Sequence, residues 1–361
     1  AQMHALAGGK QHITESEEHM NDNLADIINE AAKLPPDLPE DNFIYRKTQF
    51  TTAELLETEF PEPNWAIPGL IPEGLTILGG RPKIGKSWLL MQIAHAIGTG
   101  GMFFGQRIEK GNALYIAFED SPRPLKNRMI TQQVPKDAAI EWRFEWNPFQ
   151  GAGMGDLLIE ISRHKLKAVI IDTFARGMPG IDPQKDLAII QRVYSDMQIM
   201  ALENGVVSLT SDHCRKMGGF DHDPIDDIIN TTSKTAIADA IFALYKKHGE
   251  TEANLMGRGR DIEDVNLTLK FDGLTCSWQS LGNTEEVITS QNDAKIFQGI
   301  QDLLDDGETP TTTNLEKALD MHRTSIIRGI KNLIDQGKVI KGGKIGRQQP
   351  FYPTDYMARD P

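Results

Sequence analysis

Between about Thr51 and Gly282, short apolar runs alternate with stretches whose apolar positions recur every three or four residues. Leu75–Leu78, Ala113–Phe118, Ala168–Ile171, Val206–Thr210, Ala240–Tyr245 and Asn254–Met256 read as strands, whereas Trp88–Ile97 and Leu187–Glu203 carry helical periodicity. This alternation predicts an α/β fold, a mostly parallel sheet with helices on both faces. Val265–Trp278 reads as an antiparallel hairpin turning at Asp272-Gly273.

Near Gly282–Gln291 the pattern turns polar, and a linker is expected at residues 286–292. Three helical stretches follow, Asp293–Leu304, Thr313–Leu319 and Arg323–Gln336, and then a basic hairpin through Tyr352 turning at Gly342-Gly343. Helices and hairpin in this order predict a small winged helix-turn-helix domain over residues 293–355. On its third helix, Ile326, Ile327, Ile330 and Leu333 form the expected buried face, while Arg328 and Lys331 share another. Upstream, residues 1–45 are polar and acidic and include the Pro-rich LPPDLPE. They read as disordered apart from a short helix at Asn23–Lys33, leaving residues 46–285 as the core. Met20 is a second candidate for the natural start.

Composition narrows the function classes. The 361 residues carry 51 acids and 38 Lys and Arg, a net charge of −13, which looks unfavourable for a nucleic-acid binder. The charge is uneven, however. Residues 1–41 hold nine acids against Lys10 and Lys33, whereas residues 323–347 hold seven bases against Asp335 alone. A local basic footprint therefore survives an acidic total. There is no run of 18 uncharged apolar residues and no secretory signal pattern, and Cys214 and Cys276 are too few for a disulfide framework. No membrane contact and a cytoplasmic location are expected.

The clearest chemistry lies in Gly80-Arg81-Pro82-Lys83-Ile84-Gly85-Lys86-Ser87, which matches the phosphate-loop pattern and stands between a strand and the helix opened by Trp88. Backbone amides there face phosphates, Lys86 spans the β- and γ-oxygens, and Ser87 ligates Mg²⁺, so ATP and Mg²⁺ are the expected cofactors. Asp172 ends the strand Val169–Ile171 as a Walker B acid would, a second Mg²⁺ ligand through water. Glu119 and Asp120 end another strand, and either could serve as the base that activates water. His213 follows the strand Val206–Thr210 as a γ-phosphate sensor, with Arg215 and Lys216 opening a loop. The contiguous Ser211-Asp212-His213 is no hydrolase relay, since neighbours on an extended chain point to opposite faces. Asp221-His222-Asp223 reads as a solvated turn.

The segments GGRPKIGKS, LYIAFED, VIIDTFARGMPG, TSDHCRK, SKTAIADAIFALYKK and LMGRGRDIED resemble, in order, the RepA-like subgroup of RecA-type hexameric ATPases. The resemblance covers Trp65–Gly282. It implies a RecA-like core, a hexameric ring with ATP at subunit interfaces, and Glu119 as the catalytic base. By similarity to DnaB-type helicases it also implies Arg260 as an arginine finger acting on the neighbour's ATP, with Arg258 as its basic partner. Paired histidines are frequent in the family where this chain has Asp212-His213, and neither a DnaB-like N-terminal helical domain nor a primase is expected. The expected function is a DNA helicase or translocase on single-stranded DNA in replication of a plasmid, phage or mobile element. Residues 175–179 and 215–220 would be its DNA loops. Arg323, Arg328, Lys331, Lys341 and Lys344 would contact duplex DNA, or the winged helix would meet a replication protein. The alternatives are a non-unwinding DNA ATPase, such as a helicase loader or recombination mediator, and a nucleotide-gated DNA-binding regulator.

Overall fold

The computed structural model describes residues 49–60, 62–183, 185–213 and 236–356, with His213 described by its backbone alone. The expected disordered segment, Cys214, Arg215, Lys216 and the Asp221-His222-Asp223 triplet lie outside the described residues. The chain divides into two units, Ala1–Pro61 and Glu62–Pro361. In the first, α1 (Thr52–Glu57) is opened by a capping box: Thr51 Oγ1 accepts from the Glu54 amide, and the Glu54 carboxylate accepts from the Thr51 amide. None of its residues is buried.

The second unit begins with β1 (Trp65–Ile67), β2 (Ile71–Pro72), β3 (Gly74–Gly80), α2 (Lys86–Thr99), β4 (Gly101–Phe103), β5 (Gln106–Ile108) and β6 (Asn112–Ala117). It continues through α3 (Pro122–Thr131), β7 (Ile140–Arg143), α4 (Gly153–His164), β8 (Leu166–Asp172), a 3-10 turn at Phe174–Gly177, and α5 (Leu187–Glu203). Then come β9 (Val207–His213), β10 (Ala240–Tyr245), β11 (Glu252–Gly259), β12 (Val265–Asp272) and β13 (Ser277–Asn283). The last elements are α6 (Thr284–Asp305), α7 (Thr312–Leu319), α8 (Arg323–Asp335), β14 (Val339–Lys341) and β15 (Phe351–Pro353).

Among the described residues, nine strands form one sheet in the order β13-β12-β11-β10-β3-β9-β8-β6-β7. Pairing is parallel from β10 to β7 and antiparallel from β10 out to β13. The expected α/β fold with a mostly parallel sheet is present. Alternation along the central strands feeds two cores. Leu78, Tyr115, Ile170 and Leu209 face α2 with Leu89, Leu90 and Ile93, while Leu75, Ile77, Val169 and Ile171 face α4 and α5 with Leu157, Ile190 and Met197. Parallel register gathers the carboxyl ends of the strands, pairing Gly80 with His213 and Ala117 with Asp172.

Four expectations are corrected. The 286–292 linker is helical, because Asn283 caps α6 through the Glu285 amide and the polar run is the solvated first part of that helix. The first hairpin is antiparallel with its turn opening at Asp272-Gly273, as expected, but it is longer than Val265–Trp278, since its second strand runs to Asn283. Residues 273–276 connect its strands, with the Asp272 carboxylate accepting from the Leu274 amide and Thr275 hydroxyl and Cys276 at φ 49°. These bonds hold Asp272 below the usual carboxylate range. The second hairpin does not turn at Gly342-Gly343 either. Ile345 and Gln348 exchange backbone bonds around Gly346-Arg347, and Gly346 takes the positive φ of 62°. Ile327 is 52% exposed, whereas Ile326, Ile330 and Leu333 pack against Ile296, Ile300 and Leu303 of α6, Leu315 of α7, and Val339 and Phe351 of the hairpin.

Candidate active site

The loop Gly80–Ser87 joins β3 to α2, and Gly85 is the N-cap at φ 104°, a left-handed conformation that strains any residue with a Cβ. No side chain caps this helix, so its first amides keep their capacity to bind an anion. Lys86 is buried, and its Nζ donates to the carbonyls of Gly80 at 2.7 Å and Arg81 at 3.0 Å. These bonds hold the ammonium against its own loop. A cleft of about 600 Å³ opens over the loop, of the size that admits a nucleotide. Pro82–Trp88 form one side of its lining; Arg81 keeps contacts within the loop, and Glu119, Asp172 and Lys246 line the cleft too.

Asp172 is buried at the end of β8. Its Oδ1 accepts from Ser211 Oγ at 2.6 Å and its Oδ2 from the Tyr115 hydroxyl at 3.1 Å. Burial, and then the Asp172 charge, push the Tyr115 phenol well above its ordinary value, so the phenol stays a donor. A carboxylate offers about four lone-pair sites, so two hydrogen bonds leave room for metal-bound water. The hydroxyl of Ser87 and the carboxylate of Asp172 are hard oxygen donors of the kind that suits a divalent cation such as Mg²⁺.

The two acids after β6 have different surroundings. Glu119 is exposed in the cleft, where its Oε1 accepts from Thr173 Oγ1 at 3.3 Å and lies 3.9 Å from Arg176 Nε. Asp120 is tied to Arg128 at 2.5 Å, and burial, partly offset by Arg128, raises its pKa. Glu119 is the acid with access to the cleft. On β9, Ser211 reaches Asp172 while Asp212 is buried against the Tyr194 hydroxyl at 3.2 Å, so the two neighbours do point to opposite faces. Of residues 175–179, expected to form a DNA loop, Ala175, Arg176 and Pro179 are exposed while Gly177 and Met178 are buried; the preceding Phe174 is buried and stacks on Phe149 at 5.1 Å.

Arg258 and Arg260 lie elsewhere. Arg258 ends β11 and pairs with Asp264 at 3.3 Å; Arg260 pairs with the buried Asp239 at 3.4 Å and donates to the Ala236 carbonyl at 3.1 Å. In register, Gly259 is opposite Ala240, and Ala240 is opposite Thr76, while Leu244 is opposite Gly80. The two arginines therefore sit at the end of the sheet away from the phosphate loop of their own chain. Arg323, Arg328 and Lys331 are exposed on α8, and Lys341 and Lys344 are exposed on the hairpin.

Four site residues escape a reading by motif. Tyr115 looks like one more apolar strand position, and Ser211 like part of a polar turn. Arg128 is eight residues from its partner Asp120, and Lys246 reaches the cleft only because β10 lies beside β3.

A family model described as an AAA domain matches residues 44–219, just under half the chain. The phosphate-loop motif, the buried Asp172 at the end of β8 and the cleft agree with that match. The chain is a P-loop ATPase. Curated relatives are the DNA repair protein RadA of several Streptococcus pyogenes serotypes, 26% identical over 308 residues, covering 80% of this chain and 61% of RadA. The ATPase thus spans about 61% of the length of these relatives. Among solved structures, one ATPase domain aligns at TM-score 0.48 and 13% identity over 58% of this chain and 84% of its own. A KaiC-like protein of Pyrococcus horikoshii aligns at TM-score 0.44 and 14% identity over 60% and 93%. No helix among the described residues is long and apolar enough to cross a membrane.

Proposed function

We propose that the chain is a subunit of a hexameric, RecA-like ring of the RepA-like kind that hydrolyses Mg²⁺-ATP at its subunit boundaries and translocates on single-stranded DNA as a helicase. The observation that carries this reading is the placement of Arg258 and Arg260. Four strand positions separate Thr76 from Gly80, roughly 13 Å at about 3.3 Å per residue, so these residues stand well away from their own phosphate loop. Exposed as they are, the ATP they can serve is a neighbour's.

In this reading Lys86 moves from the loop carbonyls to the phosphates, and Ser87 and Asp172 hold Mg²⁺. The ion, when bound, neutralises charge on the β- and γ-phosphates. Glu119 takes the proton of the attacking water, His213 senses the γ-phosphate, and Arg260, backed by Arg258, stabilises the transferring group across the interface. Arg215 and Lys216 grip single-stranded DNA, and residues 293–355 act as a winged helix that meets duplex DNA or a replication protein.

The experiment is complementation. Arg260→Ala should keep ATP affinity but lose turnover by about 10³-fold, and Lys86→Ala should lose nucleotide binding or turnover. Mixed together they should recover activity at interfaces pairing an intact loop with an intact finger. An Arg260→Ala ring that turns over normally overturns the reading. The name of the relatives, DNA repair protein RadA, favours a second reading, an ATPase that acts in DNA repair; in that reading the chain does not unwind DNA. Strand displacement on a forked substrate separates the two.

A further inference from the structure

We propose that Trp278 is a positioning residue for the phosphate loop, acting through the carbonyl of Gly85. This rests on the P-loop ATPase site and is independent of any role on DNA. Trp278 belongs to β13, the outermost strand of the antiparallel extension, yet its indole is buried against the loop. Its Nε1 donates to the Gly85 carbonyl at 3.1 Å. The same carbonyl accepts the first helical bond of α2, from the Leu89 amide at 3.1 Å.

Two donors on one oxygen fix the orientation of the Gly85–Lys86 peptide. In a trans peptide the N–H points opposite to the C=O, so holding the Gly85 carbonyl against the indole aims the Lys86 amide the other way. A donor on the carbonyl also polarises the amide, strengthening it towards an anion. Closeness reinforces the geometry: a Cβ on Gly85 would stand 2.9 Å from the indole, so no larger residue fits between loop and ring.

The indole is itself held. Gln92 of α2 brackets the Trp278 backbone, accepting from its amide at 2.8 Å and donating to its carbonyl at 2.9 Å. Gln132 bridges the carbonyls of Trp88 and Cys276 at 3.0 and 2.9 Å. Phe271 packs on the indole at 5.0 Å, and Lys246 lies over both rings at 5.3 and 5.5 Å, with Phe271 and Lys246 lining the cleft. Any buried indole N–H needs an acceptor; what points to positioning here is that the acceptor is the Gly85 carbonyl of the phosphate loop itself.

Trp278→Phe keeps the aromatic bulk and removes the indole N–H. Titration of the full chain with Mg²⁺-ADP should show affinity weakened by about fivefold, the scale of one buried hydrogen bond. Leu269→Val trims the same core at β12 and should lower the melting temperature while leaving affinity unchanged. Gln92→Leu, which frees the strand but spares the indole, should weaken affinity in the same direction and covers the case in which Trp278→Phe fails to fold. Unchanged affinity in both Trp278→Phe and Gln92→Leu overturns the proposal, and so does an equal loss in Leu269→Val. A wild-type chain that binds no Mg²⁺-ADP overturns the nucleotide site itself, a failure visible before any variant is compared.

Discussion

Glu119 and Asp120 are adjacent in sequence, but only one of them is available to chemistry. Asp120 is tied to Arg128, which lies over the Trp88 ring at 5.1 Å, so its carboxylate braces α3 against the start of α2. Glu119 keeps only the long contacts to Thr173 and Arg176 and faces the cleft. Glu119→Gln should therefore retain nucleotide affinity while slowing turnover by about 10²-fold or more, the scale of losing a general base. Asp120→Asn should retain turnover within a few-fold and lower the melting temperature instead. Steady-state ATPase rates with melting curves on both variants check the assignment, and a slow Asp120→Asn beside a near-normal Glu119→Gln would reverse it. The family resemblance pointed to Glu119, but the residues alone did not distinguish the two acids, since both end the same apolar run. The distinction depends on which of them Arg128 reaches, eight residues further on.

Asp293 shows how an element's polar face can mislead. It lies inside α6, buried, and its Oδ1 has no hydrogen-bond partner among the described residues. Burial raises its pKa, with Asn332, Lys338 and Gln336 pulling the other way. A carboxyl whose folded pKa is raised is penalised when ionised, so the wild type should gain stability as pH falls from the raised value towards the ordinary one. Asp293→Asn carries no such penalty. It should melt about 2 °C higher at neutral pH, and the advantage should shrink on acidification. Melting curves at pH 7 and pH 4 test this, and a variant less stable at pH 7 contradicts it. The same helix shows why element bounds were unevenly legible. β10 and α5 were read at their observed ends, because apolar runs and a clear 3.6-residue period mark buried faces. The first turns of α6 carry Glu285 and Glu286 and look like linker, although a capped, acid-rich first turn is what a solvated helix start wants. β7 has no comparable signal: Ile-Glu-Trp-Arg is an edge strand whose pairing with β6 is a tertiary fact.

At the scale of the molecule, an acidic chain displays one basic region. Against a total of −13, the bases of α8 and the β14–β15 hairpin stand exposed around two apolar side chains, Ile327 and Ile345 at 52% and 58% exposure. The three helices and hairpin share one small core, which packs α8 against the hairpin, and Thr311, the N-cap of α7, bridges to Pro350. Sequence patterning anticipated the basic stretch and its helices, but it placed Ile327 inside and the hairpin tip at Gly342-Gly343. Gly342 is instead pressed against the Tyr352 ring, where a Cβ would meet Cε2 at 2.4 Å, and the tip lies at Gly346-Arg347 between Lys344 and Gln348. That arrangement puts Lys344 and Arg347 at the exposed end, where a phosphate backbone could reach them. If this face binds duplex DNA, the logarithm of the full chain's affinity should fall linearly with log salt, each neutralised phosphate contributing a slope of about 0.9. Reversing Lys341 and Lys344 to Glu should weaken binding at low salt and make that slope shallower by about 2. Arg323 is the poorer probe, since Glu316 already lies 3.4 Å from it. Fluorescence anisotropy on a labelled duplex at several salt concentrations gives both quantities. Unchanged affinity and slope in the reversed variant would assign this face to a protein contact and leave any grip on DNA to other parts of the chain.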